Sequence, residues 1–286
     1  MPKKASPENL YKHVEFLTSI KPFRNYLHPE SLDKAAEYTK NQFSIYTSHI
    51  TEQKFCVEYN EYKNVIASIN TDKKERIIIG AHYDVAGDTP GADDNASGIA
   101  GLIELLGLLH HEELPYRIDF AAYTLEEPPF FATEYMGSYI HAYSLYKEKA
   151  KIKVMICLEM IGYFSDKKGS QQFPLPFFKL LYPDTGNFIG VVGKLGQKEI
   201  TTKIRELMKK GGKIPVYSIN APSIIPGVDL SDHRNFWQFG YQAVMITDTA
   251  FYRNPNYHRR TDTVNTLDYK RMAEVINGLY YAIKNI

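Results

Sequence analysis

A series of short, apolar, β-branched runs constrains this chain most, because each is followed closely by an acidic residue or a histidine. Arg76–Gly80 (RIIIG), Arg117–Thr124 (RIDFAAYT), Lys153–Ile161 (KVMICLEMI) and Ala243–Thr247 (AVMIT) are too apolar for strands with one wet face and too short for core helices. Runs of this kind read as strands covered on both faces. Further strands are expected over Phe188–Val192 and Val216–Ile219. A hairpin is expected from Cys56–Tyr59 and Asn64–Ile69, joined through NEYK.

Helical apolar spacing fills the intervals. It runs over 7–20 and 30–47, which begin at Ser6 and Ser31, then from near Ala96 through LIELLGLL, and over 134–149, 197–210, 232–239 and 269–284. Strands alternating with helices imply a three-layer α/β/α sandwich around a central mixed, mostly parallel sheet, with residues 1–286 forming one domain. The stretch 163–186 is rich in proline and aromatics and too long for a plain connection, so it is expected to be a functional loop or lid.

Composition narrows the function classes. Hydrophobic residues make up 44%, enough for a substantial core. The net charge of +1 gives no global attraction to nucleic acid or to an anionic membrane, and neither is expected as a partner. The start, MPKKASPENLYKHVEF, has no apolar run fit for a signal peptide or a membrane span. The chain as written is expected to be soluble and cytoplasmic, or secreted or periplasmic if a leader has been removed. Cys56 and Cys157 lie in strand-like runs and are expected to be buried free thiols; with no CxxC pair, any metal falls to histidines and carboxylates.

Those residues gather after the expected strands, where open α/β sheets bind ligands. His82 and Asp84 follow RIIIGA two apart, on one face of an extended segment. A carboxylate so placed can anchor the second ring nitrogen of a ligand histidine. Asp93-Asp94-Asn95 precedes a helix; helix capping is the plain reading, but adjacent like charges also invite a cation. Glu126-Glu127 ends the run YTLEE before Pro128 and Pro129, so one carboxylate can take a metal while its neighbour handles protons. Glu159 stands alone in the apolar VMICLEMIG, costly unless paired or metal-bound. His258 follows in RNPNYHRRTDT. For Asp232 and His233 in LSDHRNFW the plain reading, Ser231 capping a short helix, is preferred to a place near the active site. Together these residues are a ligand set for two divalent ions sharing a carboxylate, zinc above all, with Mn²⁺ or Co²⁺ as substitutes.

HYD, GADDNASG, LEEPPFF with MGS, LEMIG and NPNYH, in this order from about Asn64 to Asp268, resemble the co-catalytic di-zinc aminopeptidases of the bacterial leucyl aminopeptidase type. Glutamate carboxypeptidases and glutaminyl cyclases are more distant relatives. The resemblance implies that His82 and Glu159 hold one zinc, Glu127 and His258 the second, and Asp94 bridges them. It further implies Asp84 as the acid orienting His82, Glu126 as general base, and Tyr257 as hydrogen-bond donor to the oxyanion. Glu159 departs from the family, where many members carry Asp. The implied activity is removal of the N-terminal residue from peptides with a free N-terminus. A glutaminyl cyclase-like acyltransferase is the alternative, as is a carboxypeptidase using Arg234, Arg253, Arg259 or Arg260 to hold the substrate carboxylate.

Overall fold

The computed structural model describes residues 4–286. Its centre is one eight-stranded sheet: β1 Ile50–Val57, β2 Asn60–Ile69, β3 Glu75–His82, β4 Arg117–Tyr123, β5 Lys151–Glu159, β6 Ile189–Lys194, β7 Val216–Ala221 and β8 Ala243–Thr247. Their order across the sheet is β1-β2-β4-β3-β5-β8-β6-β7. β4, β3, β5 and β8 are mutually parallel. β6 and β7 run parallel to each other and antiparallel to β8, and the β1–β2 hairpin joins β4 antiparallel. The mixed, mostly parallel sheet is as expected.

The apolar runs are continuous because successive side chains enter opposite layers. Ile77, Ile79, Val154, Ile156, Val244 and Ile246 join the core built with α1 Pro7–Ser19, α2 Pro29–Ser44, α3 Gly98–Leu109, α5 Lys198–Gly211 and α7 Tyr269–Asn285. Ile78, Met155, Cys157 and Met245 face the opposite layer, with α4 Gly137–Lys147 and α6 His233–Gln238. Each such side chain is worth about 1.5–3 kcal/mol in burial. α3 is buried almost all round, and its one acid, Glu104, is satisfied by the Ser6 amide at 2.6 Å and the Asn9 side chain at 3.4 Å.

Three expectations are corrected. Ser6 caps α1, its hydroxyl accepting from the Asn9 amide, but α2 begins at Pro29, two residues before Ser31. Proline suits the first helical turn because its missing N–H has no intrahelical partner there. The hairpin does not turn through NEYK. Those residues pair within β2, Phe55 opposite Tyr62, and the turn falls at Glu58-Tyr59, with Glu58 at φ 54°. Both cysteines are free, but Cys56 is exposed on edge strand β1; only Cys157 is buried.

His13 on α1 is buried against Tyr38, its Nδ1 2.7 Å from the hydroxyl, and burial lowers its pKa to about 4. The unfolded chain binds that proton near pH 6.5, so the neutral ring contributes stability above that value and loses it as pH falls toward 4. On acidification from pH 7.5 to 4.5, urea unfolding is expected to show the wild type losing roughly 2 kcal/mol more than His13→Gln. Equal losses in the two proteins would contradict this.

Candidate metal centre

The parallel register brings four strand ends level. His82, the last residue of β3, lies opposite Tyr123, the last of β4; Glu159 closes β5 opposite Thr247, which closes β8. Glu126 and Glu127 follow β4 within four residues, and His258 lies in the segment after β8. Asp94 sits in the turn Ala92–Ser97 ahead of α3. The sequence-expected residues therefore meet at the carboxyl edge of the parallel strands.

Asp94 is the meeting point. Its Oδ1 is 3.4 Å from His82 Nε2 and its Oδ2 is 3.1 Å from His258 Nε2. Glu159 Oε2 approaches His82 Nε2 at 3.3 Å, and Glu127 Oε2 approaches His258 Nε2 at 3.3 Å. Glu126 Oε2 stands farther from His82 Nε2, at 3.8 Å. All but His258 are buried. His258 Nε2 is thus clasped between Asp94 and Glu127, whereas His82 Nε2 and Glu127 Oε1 are buried atoms with no hydrogen-bond partner.

Bonds of about 2.0–2.2 Å in a tetrahedral zinc site put neighbouring ligand atoms roughly 3.3–3.6 Å apart. The separations here match that spacing, and one atom from each of His82, Asp94 and Glu127 lies within 4.8 Å of the others. The donor set of imidazoles and carboxylates suits zinc, with Mn²⁺ and Co²⁺ compatible. The residues present fit such an ion.

Electrostatics sort the carboxylates. Burial works against charge on Asp94, but bonds to His258 and His82 outweigh it and hold its pKa below the ordinary range. Burial pushes Glu126 well up; His82 opposes this, while Glu127, Glu159 and Asp232 add to it. Burial, then the charge of Asp94, raises Glu127 to about 7. Burial disfavours a charged His258, yet Asp94 and Glu127 raise it to about 10.

Loop backbones hold these side chains through further acids. Asp84 lies 3.5 Å from His82 Nδ1, and its two oxygens also accept the amides of Glu126, at 3.2 Å, and Glu127, at 3.0 Å. Asp262 accepts the amides of Asp93 and Asp94. Asn95 donates to the Leu158 carbonyl at 2.8 Å and accepts from the Met160 amide, bracing the end of β5. Leu125, Met160 and His258 adopt left-handed φ of 58°, 50° and 54°. Non-glycine residues there cost of order 1–3 kcal/mol each and gather at functional sites. Tyr257 stacks on the His258 ring with centroids 3.8 Å apart, and burial pushes its hydroxyl pKa up.

The capping reading of Ser231 is overturned. Ser231 caps nothing: its hydroxyl donates to Glu159 Oε2 at 2.6 Å, and α6 begins at His233 with Asp232 as a cap that makes no side-chain bond. Burial raises Asp232 to about 7, within electrostatic reach of His82 and Glu159, whereas His233 turns to the Val228 carbonyl. Arg253 is buried, donating to Gln171 and to the Phe188 carbonyl, and Arg260 pairs with Asp88. Segment 163–186 walls an apolar cavity with Gln171, Phe173, Phe178 and Tyr182, facing Tyr217, and Glu159 and Tyr257 line the same cavity.

A mixed sheet carrying two imidazoles and buried carboxylates at its parallel edge is the arrangement expected of an α/β metalloenzyme. The chain belongs to peptidase family M28, whose profile matches residues 64–283; its members are peptide hydrolases that typically depend on zinc. The protein YfbL of Escherichia coli K12, described as uncharacterized, is 43% identical over 99% of this chain and 90% of its own length. A probable leucine aminopeptidase of Trichophyton verrucosum is 26% identical over 74% of this chain, a match spanning 54% of that protein. Among solved structures, LapB of Legionella pneumophila superposes with a TM-score of 0.76 at 24% identity, covering 98% of this chain and 72% of its own. A glutaminyl cyclase of Bacteroides thetaiotaomicron bound to N-acetylhistamine superposes with a TM-score of 0.75 at 17% identity over the whole of both chains. At these identities the two superpositions speak to fold alone.

In Asp84→Asn one acceptor oxygen becomes a donor facing the amides of Glu126 and Glu127. Zinc affinity, read by competition with a chromophoric chelator, is expected to fall about 10–100-fold. Wild-type affinity in a folded variant would remove Asp84 from its supporting role.

Proposed function

We propose that the protein is a zinc aminopeptidase that binds two ions through Asp94 and removes the N-terminal residue of peptides. One observation carries the reading: the two imidazoles of His82 and His258 meet opposite oxygens of one buried carboxylate, with Glu159 and Glu127 completing the two halves. Zinc bound there supplies a Lewis acid for the scissile carbonyl and lowers the pKa of bound water toward neutrality. Glu126 is left outside both halves, and its raised proton affinity suits it to take a proton from the attacking water and deliver it to the leaving amine. The Tyr257 hydroxyl, at the rim of the same cluster, donates to the developing oxyanion. The aromatic wall of Phe173, Phe178, Tyr182 and Tyr217 favours a large apolar side chain on the N-terminal residue.

The carboxypeptidase alternative loses candidates. Arg253 is buried against Gln171 and Phe188, Arg260 faces Asp88, and Arg234 lies over the Phe131 ring at 4.7 Å.

The test is a panel of aminoacyl p-nitroanilides and their N-acetylated forms, with and without chelator, alongside metal analysis. Release of p-nitroaniline only from free amines, abolished by chelator and restored by zinc, is the expected result, with about two ions per chain by the co-catalytic precedent. Ammonia release from glutaminyl peptides without hydrolysis would instead favour the cyclase. Glu126→Gln is expected to lower turnover about 10²–10⁴-fold with zinc retained; full activity would exclude Glu126 as the base.

A further inference from the structure

Arg24 lies outside the family-matched region, in the connection between α1 and α2. It is fully buried, yet no carboxylate lies within ion-pair distance among the pairs of the described residues. Its guanidinium is spent on backbone carbonyls instead. Nε donates to Tyr83 at 2.8 Å, Nη1 to Leu17 at 2.8 Å and Pro90 at 2.7 Å, and Nη2 to Gly91 at 2.8 Å. Its own carbonyl accepts the Val85 amide at 3.0 Å, and the neighbouring Asn25 side chain donates to the Gly87 carbonyl at 2.6 Å.

Apart from Leu17 on α1, those carbonyls are not scattered. Tyr83 lies between His82 and Asp84. Pro90 and Gly91 lead directly into the turn that carries Asp94. Gly91 has φ 60°, and a Cβ there would strike the Val85 side chain and the Asp94 carbonyl. Its carbonyl also accepts the Ala96 amide, which closes that turn. Burial lowers the Arg24 pKa to about 10, with Asp262, Asp84 and Asp94 working the other way, so the group is cationic at neutral pH. Arg24 is thus a rigid fork joining two metal-site segments, and a positive charge behind the acids they carry.

We propose that Arg24 is a positioning residue of the metal centre: it fixes the distance between the His82 imidazole and the Asp94 carboxylate by clamping residues 83 and 90–91 to one planar group. The proposal rests on the reading of His82 and Asp94 as zinc ligands. Lysine keeps the charge but has no planar fork to span the four carbonyls; methionine removes both charge and donors.

The test compares wild type, Arg24→Lys and Arg24→Met by zinc competition with a chromophoric chelator, circular dichroism, and the visible spectrum of the Co²⁺-loaded protein, which reports ligand geometry without reference to turnover. Arg24→Met is expected to bind zinc about 10–100-fold more weakly, as supporting residues of metal sites do. Arg24→Lys is expected to keep wild-type circular dichroism while shifting the Co²⁺ bands and weakening zinc binding. If Arg24→Met does not fold, Arg24→Lys carries the test. Folded Arg24→Lys with wild-type zinc affinity and Co²⁺ spectrum would overturn the proposal. A wild type that binds no zinc would overturn the zinc reading itself, a different outcome from intact wild-type binding with unaffected variants.

Discussion

The burial of carboxyl groups governs this structure. Asp84, Asp93, Asp94, Glu126, Glu127, Glu159, Asp232, Asp248 and Asp262 are all buried at one edge of the sheet. Removing a carboxylate from water costs several kcal/mol unless donors or cations replace its hydration. How the others are compensated separates scaffold from chemistry, while both oxygens of Asp232 lack a hydrogen-bond partner. Asp84 takes the amides of Glu126 and Glu127, Asp262 those of Asp93 and Asp94, and Asp248 those of Tyr163 and Ala250. Asp93 takes the Gly162 amide and the Asn254 side chain. These acids are consumed in holding loops together. Asp94, Glu127 and Glu159 instead turn toward the imidazoles, and Glu126 has only a distant contact with one of them. Compensation by amides needs loops folded to one shape, and compensation by a cation needs the remaining oxygens to converge.

The two requirements reinforce each other. Amides reach the scaffold acids because the loops leave rigid strand ends, and backbone positions such as Leu125 and Met160 accept left-handed conformations directly beside Glu126 and Glu159. Segment 163–186 is drawn into the same arrangement. The Tyr163 amide bonds to Asp248, Gln171 bonds to Thr249 and receives Arg253, and the Gln172 amide bonds to the Tyr252 carbonyl. The wall of the apolar cavity is therefore fastened to the strand end that precedes His258. The pocket wall and the segment leading to His258 are thus held by the same set of hydrogen bonds.

The sequence disclosed what has a local cause. Alternation into two cores makes strands legible as unbroken apolar runs, and an acid inside such a run, Glu159, stands out because only a partner offsets its burial. The β1–β2 hairpin is legible but its turn is not, because NEYK looks turn-like by composition while the actual turn at Glu58-Tyr59 carries no glycine and no proline. Long-range compensation left no local mark. Arg24 resembles any basic loop residue, since its partners are carbonyls, which every residue owns. Asp262 in RRTDT reads as solvated until the fold brings it under Asp93 and Asp94.

Ser231 shows why such partners matter. Glutamate at position 159 carries one more methylene than aspartate, and with it one more free rotation to be arrested before its oxygen can hold a fixed distance from His82. The Ser231 hydroxyl bonds to that oxygen at 2.6 Å and lies 3.1 Å from the Cys157 sulfur, two residues back on the same strand face. The longer side chain is thereby tied to β5 and to the segment leading into α6 at once. A hydroxyl that composition offers as a helix cap holds a carboxylate still instead, one position ahead of Asp232, where α6 begins without a side-chain cap bond. A single neutral hydrogen bond adds only about 1 kcal/mol net, so the advantage of this one lies in the orientation it gives to Glu159.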